Sequence, residues 1–161
     1  MLFTGEHEHT LDQKNRLSIP ARFRQLLCPE TVGSKFYLIL GANKRLWLYP
    51  DQYYEQLVNR MPAELIPDEN VMQFEQLTFG LATLLDIDST GRVLVPDRMI
   101  RRAQLGKDVV IIGVRDHLEI WNREDWEQYV ENGLSEYSQT LTRARLARMT
   151  PGSGPMSRPE T

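Results

Sequence analysis

The chain has 161 residues, 41% of them apolar, and a formal net charge of −3 at neutral pH, so it fits one domain, or two small halves sharing a core. The mild acidity argues against a protein that coats nucleic acid indiscriminately, and apolar runs such as Val109-Val110-Ile111-Ile112 are far too short to cross a bilayer. One cysteine, Cys28, excludes an internal disulfide and supports no metal cluster; with no leader pattern expected at the start, a reducing, cytoplasmic setting follows.

In chain order, residues 7–11 read as a strand leading into a turn, and Leu17-Ser-Ile as a strand leaving it that ends at Pro20, which cannot donate the next ladder bond. A short basic helix or turn comes next. Two strands follow, Phe36 to Leu40 and the stretch from Leu46, joined by a turn at Gly41 to Lys44. Pro50 suits the first turn of the helix after Tyr49, with Asp51 near its positive end. Pro62 and Pro67 mark a loop, and Val71, Phe74, Leu77 and Leu81 then recur at helical spacing. Residues 82–87 predict a second strand into a turn, Val93-Leu-Val the strand out of it, and Pro96 its end. Strands at Val109 to Val114 and after a turn at Arg115 to His117 precede a helix capped by Asn122, with Glu124 and Asp125 in its first turn. A last helix is expected over roughly Leu134 to Met149, with Leu134, Tyr137 and Leu141 on one face. A disordered, proline-rich and glycine-rich tail completes the chain.

The second half repeats the first. Leu-Asp-Gln-Lys-Asn-Arg-Leu-Ser-Ile-Pro-Ala-Arg, from residue 11, is answered by Ile-Asp-Ser-Thr-Gly-Arg-Val-Leu-Val-Pro-Asp-Arg, from residue 87, so Asp12, Arg16, Pro20 and Arg22 map onto Asp88, Arg92, Pro96 and Arg98 at an offset of 76 (88 − 12). Further on, Leu46-Trp-Leu-Tyr resembles Leu118-Glu-Ile-Trp at an offset of 72 (118 − 46). The chain is therefore a tandem duplication. Its expected organisation is a first repeat at 1–60, a connecting segment with a helix at 61–80, a second repeat at 81–132, a helix at 133–149 and the tail at 150–161. Each shared window reads as a hairpin, and Asn15 and Gly91 at the equivalent turn position are the residue types that most readily take positive φ. Short strands with open edges are unstable alone, so the two copies are expected to interleave into one closed or nearly closed barrel, mainly β within an α+β class, with helices packed outside.

The opening Met-Leu-Phe-Thr-Gly-Glu-His-Glu-His-Thr-Leu-Asp-Gln-Lys-Asn-Arg-Leu-Ser-Ile-Pro-Ala-Arg-Phe-Arg, the second Leu-Asp-Ile-Asp-Ser-Thr-Gly-Arg-Val-Leu-Val-Pro and the Leu-Glu-Ile-Trp stretch resemble the MraZ family, from Leu2 to about Leu141. The resemblance implies a tandem-duplicated swapped-hairpin (double-split) β-barrel of the AbrB and SpoVT type, a ring-shaped homo-oligomer and a bacterial transcriptional regulator at the nucleoid. It further implies binding to short G-rich direct repeats ahead of division and cell-wall genes, including its own. Asn15 stands where that family usually has Gly.

An arginine fork can contact two acceptors on a guanine edge, and a lysine can neutralise a phosphate. On that reading Arg16 and Arg92 read bases, Lys14, Arg22, Arg24 and Arg98 hold phosphates, Asn15 and Gly91 shape the turns, and Asp12 and Asp88 orient them. The plainer alternative is that each Asp-Arg pair merely ties its turn, which exposed pairs do weakly. Glu6-His7-Glu8-His9 puts two histidines on one strand face, short of a metal site without a third ligand nearby, and neither nucleophile motifs nor phosphate-cradling glycine loops occur. Trp47, Trp121 and Trp126 read as packing residues rather than a pocket, and no enzyme, cofactor or small-molecule substrate is expected. A protein-binding module of antitoxin-like or assembly type is the competing class, with the basic turns facing an acidic protein partner.

Overall fold

The computed structural model describes residues 1–63, 65 and 68–149, so the tail at 150–161 and Pro67 lie outside the described residues. The chain divides into two compact units, Met1–Trp126 and Glu127–Thr161. The first holds eight strands: β1 (Phe3–Thr10), β2 (Arg16–Ser18), β3 (Phe36–Leu40), β4 (Leu46–Pro50), β5 (Thr83–Leu85), β6 (Arg92–Leu94), β7 (Asp108–Arg115) and β8 (His117–Asn122). Between them lie α1 (Ala21–Arg24), α2 (Asp51–Val58), α3 (Glu69–Leu81) and α4 (Asp97–Ala103), and α5 (Arg123–Ser135) begins before the unit ends.

Six strands form one antiparallel sheet in the order β1-β7-β8-β4-β3-β5, and β2 pairs with β6 as a separate two-stranded ribbon. The order carries a pseudo-two-fold axis. His7 faces Ile111 and His9 faces Val109, and their repeat-related counterparts answer them, with Thr83 facing Leu38 and Leu85 facing Phe36; every pair joins one repeat to the other. The axis passes through two self-pairings, β4 with β8 about Trp47 and Glu119, and β2 with β6 about Leu17 and Val93. Duplication is thus visible in register as well as in sequence.

The expected hairpins are exchanged between repeats. Each window closes a turn, with Asp12 N–H donating to the Arg16 carbonyl at 3.1 Å and Asp88 N–H to the Arg92 carbonyl at 2.8 Å. The flanking strands then part: β1 goes to β7, and β2 goes to β6. A three-residue strand gains more from a partner on the symmetry axis than from its own neighbour, because that pairing seats both apolar centres, Leu17 and Val93, against the sheet.

The core lies between ribbon and sheet. Period-2 alternation sends Leu17 and Ile19, Val93 and Val95, Phe36 and Leu38, Leu46 and Leu48, Val109 and Ile111, and Leu118 and Ile120 into it, with Phe3, Phe23 and Met99. Phe3 and Phe23 meet edge to face at 5.7 Å. Over the central strands the outer sheet face is buried too, which is why β7 reads as an unbroken apolar run, while the edge strands β1 and β5 leave theirs open. There Ile39, Tyr49 and Tyr54 pack with Trp47, and Val110, Ile112 and Trp121 pack with Trp126. Trp121 and Trp126 are packing residues, as expected, whereas Trp47 packs here and also lines an apolar hollow of about 470 Å³ with Ile39, Tyr49 and Phe74. Within this layer buried His117 lies between the rings of Trp47 (4.6 Å) and Tyr49 (4.8 Å) and bonds Asp116 at 2.9 Å and Glu119 at 3.3 Å. Burial disfavours the imidazolium, but the two carboxylates outweigh it and leave the His117 pKa raised.

Asn122 stands directly before α5 as expected, and its amide donates to Asp125 Oδ2 in the first turn of that helix at 3.2 Å, while its oxygen accepts the Gly106 N–H at 2.7 Å. Two local expectations need correction. The last helix does not run from Leu134: α5 carries Leu134 and stops at Ser135, and α6 (Tyr137–Met149) starts afresh after Glu136, whose N–H bonds the Gly133 carbonyl. The strand expected over 82–87 shortens to Thr83–Leu85, because α3 delivers the chain directly to it. Helix α3 itself stands where expected, capped by Asp68, whose side chain accepts the Asn70 N–H at 2.9 Å. Among the described residues, no helix is long and apolar enough to cross a membrane.

Candidate nucleic-acid interface

The two turns sit at opposite ends of the β2-β6 ribbon. Arg16 faces Leu94 across the ladder and Arg92 faces Ser18, so all four side chains share one face while Leu17 and Val93 point to the core. At two residues of rise and one strand spacing, Arg16 and Arg92 stand about 8 Å apart along the diagonal. Leu94 between them is 59% exposed, and Ser18 is exposed as well. The register puts both arginines on one narrow ribbon.

Each turn is held by its aspartate in the same way. Asp12 Oδ1 accepts the N–H groups of Lys14 (2.8 Å) and Arg16 (2.9 Å), and its Oδ2 accepts Arg16 Nε at 2.6 Å. Asp88 Oδ1 accepts the N–H groups of Thr90 (2.9 Å) and Arg92 (3.0 Å), and its Oδ2 accepts Arg92 Nε at 2.9 Å. One carboxylate therefore shapes the backbone with one oxygen and grips the arginine with the other. Arg16 is held through Nε alone and Arg92 through Nε with Nη2 also 2.9 Å from Asp88 Oδ2, and each guanidinium keeps further N–H groups for a second acceptor. These bonds hold the Asp12 carboxyl below the usual carboxylate range, the Arg16 N–H foremost, and hold Asp88 far below it, the Thr90 hydroxyl foremost. Both acids stay ionised and paired at any physiological pH, which removes the repulsion a free carboxylate would offer an anionic partner.

Asn15 and Gly91 adopt the positive φ their types allow, 59° and 81°. Their carbonyls reach across the axis: Asn15 accepts the Val95 N–H and Gly91 the Ile19 N–H, both at 2.9 Å. The remaining basic candidates lie off the ribbon. Lys14 is exposed at the tip of the first turn. Arg22 and Arg98 are exposed on α1 and α4, donating to the Thr4 and Thr83 hydroxyls at 3.3 and 3.2 Å. Arg24 donates through Nε to the Ile19 carbonyl at 3.0 Å and lies against Gly91.

Sequence reasoning passed over Thr90, whose hydroxyl donates to Asp88 Oδ1 at 2.7 Å; an Asp followed two residues later by Thr is the signal that would have found it. His7 packs edge to face on Phe23 at 5.0 Å, and among the described residues no three His, Cys, Asp or Glu side chains gather to hold a metal.

A family model described as "MraZ protein, putative antitoxin-like" matches this chain twice, over residues 2–73 and 78–149. This chain belongs to the MraZ family. Among its relatives, the protein named "Transcriptional regulator MraZ" of Moorella thermoacetica is 35% identical over 136 residues, covering 84% of this chain and 92% of the relative. The proteins of the same name from Clostridium tetani and Syntrophomonas wolfei are 34% and 35% identical over 138 residues, covering 86% of this chain and 93% of each relative. Both copies of the turn fall inside the two matched MraZ segments.

Proposed function

We propose that this protein is a sequence-specific transcriptional regulator that binds double-stranded DNA through the outer face of the β2-β6 ribbon. The observation that carries the reading is the pairing of Arg16 and Arg92 on one solvent-facing ribbon, each oriented by an aspartate. A two-stranded ribbon fits the major groove, and a guanidinium held by one edge can meet the O6 and N7 acceptors of guanine with the other. Lys14, Arg22 and Arg98 supply phosphate contacts around it. The name borne by the MraZ relatives supports the same class.

One ribbon makes few contacts, so several copies must act together. Val71, Phe74 and Leu77 on α3 are 44%, 50% and 56% exposed, an apolar strip that supports self-association, while Leu81 at the end of the helix is half-buried. A head-to-tail ring of such copies matches short G-rich direct repeats, and effective concentration multiplies weak contacts. Seated on promoter repeats ahead of division and cell-wall genes, its own included, the ring obstructs polymerase and acts as a repressor at the nucleoid in the cytoplasm.

The test is fluorescence anisotropy with duplex DNA from upstream of the protein's own gene, against a scrambled duplex, for wild type and the Arg16→Ala/Arg92→Ala double variant. Each exposed Asp-Arg pair contributes little to folding, whereas each base contact discriminates by about 1–3 kcal/mol. The double variant is expected to melt near wild type and to bind roughly thirty-fold more weakly or worse. Equal weak binding to both duplexes, or none, would leave the turns as structural staples and favour a protein partner of antitoxin-like type.

A further inference from the structure

The two turns are completed differently, and each is completed by the other repeat. A Cβ built on Gly91 would fall 2.5 Å from Cζ and 2.6 Å from Nε of Arg24, so the guanidinium of the first repeat occupies the space beside the second repeat's turn. It is fixed there by a short circuit: Arg24 Nε donates to the Ile19 carbonyl, and Ile19 N–H donates to the Gly91 carbonyl. At the offset of 76 the counterpart of Arg24 is Ile100 (100 − 24). Ile100 packs against the core, and beside the first turn a hollow of about 320 Å³ opens, lined by Asp12, Asn15, Ile100 and Lys107. A guanidinium flanks one turn and an aliphatic side chain with open space flanks the other. The choice of turn residue fits: Asn15 has open space beside it, whereas a side chain at Gly91 would have to displace the Arg24 guanidinium.

We propose that Arg24 is a specificity-determining residue of the second turn, so that one ribbon presents two chemically different readers to DNA. The first turn offers Lys14, Asn15 and Arg16 over an apolar flank; the second offers Arg92 with a second guanidinium beside it. The inference rests on the DNA-binding reading above. It implies that base preference is lopsided across the bound element, and that Gly91 and Arg24 are energetically coupled.

Two measurements on the full-length protein decide it. The first is a thermal-melting cycle of Arg24→Ile, Gly91→Asn and the two together. Asn is chosen because Asn15 already adopts positive φ, so the substitution probes the space that Arg24 fills rather than the backbone. Gly91→Asn alone is expected to lower Tm by several degrees, and Arg24→Ile to restore most of the loss; additive effects would overturn the pairing. The second is anisotropy with the upstream duplex and a set carrying single base-pair changes. Arg24→Ile is expected to weaken binding about five- to hundred-fold and to relax preference at positions facing one end of the ribbon only. Unchanged binding, or equal weakening on the scrambled duplex, would overturn the specificity role. If wild type shows no selectivity for the upstream duplex, the DNA reading and the specificity role fall together, while the melting cycle still decides the coupling.

Discussion

Leu17→Ala tests the orientation of the ribbon, on which the functional reading depends. Leu17 is fully buried, opposite fully buried Val93 at the centre of the two-stranded ladder. The substitution removes three carbons; at about 0.8 kcal/mol per methylene-sized group the transfer loss is about 2.4 kcal/mol. The cavity left between ribbon and sheet adds to it, for an expected cost of about 3–4 kcal/mol, inside the ~2–5 kcal/mol range of such changes. Leu94→Ala is the control: the same residue type, on the partner strand, but on the outer face, where the expected cost is within about 0.5 kcal/mol. Urea unfolding followed by circular dichroism reads both. With a slope of about 1–3 kcal/mol per molar, the Leu17→Ala midpoint drops by roughly 1–4 M and the Leu94→Ala midpoint barely moves. Equal costs, or a loss below about 1 kcal/mol at Leu17, would mean that the faces are not assigned as described, and Arg16 and Arg92 would lose their shared exposed surface.

Two further outcomes follow from the packing. The raised pKa of His117 contributes stability that is complete below its ordinary value of 6.5 and is lost as pH rises through the raised one, with Asp116, Glu119, Arg45, Tyr49 and Tyr53 as the titratable groups around it. Melting temperature measured upward from pH 6 should fall in wild type and flatten in His117→Gln; a flat wild-type profile would show that the ring is not held as a cation. Gly113→Ala would place a Cβ 2.4 Å from the Thr4 backbone nitrogen, forcing β1 away from β7 at a cost of about 1–3 kcal/mol. An unchanged melting temperature would contradict the close pairing of Gly113 with Gly5.

What the sequence makes legible here is local. Asn15 and Gly91 announce positive φ by residue type, and Pro20 and Pro96 announce the end of each ribbon strand. The apolar runs at β3 and β7 declare themselves by length and composition. Strand exchange is not legible in that way, because the partner of a three-residue strand is chosen by a distant register that periodicity does not encode. Asn122 announces the start of α5, but nothing local shows that its oxygen also takes the Gly106 N–H, sixteen residues away. Arg24 reads as one more phosphate holder, and its link to Gly91 emerges only when α1 is seen lying against the other repeat's turn. The break at Glu136 does leave a mark, the Asn132-Gly133 pair just before it, whose Gly133 carbonyl accepts the Glu136 N–H, but reading one helix from Leu134 passes over it.

The same bonds that fold the ribbon also position its arginines. Three-residue strands have no independent stability, so β2 and β6 exist only as a pair, and the pairing is extended by the carbonyls of the two turn residues, Asn15 to Val95 and Gly91 to Ile19. Those carbonyls point across the axis only while the turns keep positive φ, and the turns keep it while Asp12 and Asp88 hold the N–H groups that follow. A slip of one residue would drive Arg16 or Arg92 toward the core in exchange for Leu17 or Val93, and burying an unpaired guanidinium is far too costly to be populated. The register is therefore fixed by what it keeps out of the core. A single repeat has neither the partner strand nor the second turn, and carrying both copies lets one chain close the ribbon by itself and present two arginines on one face.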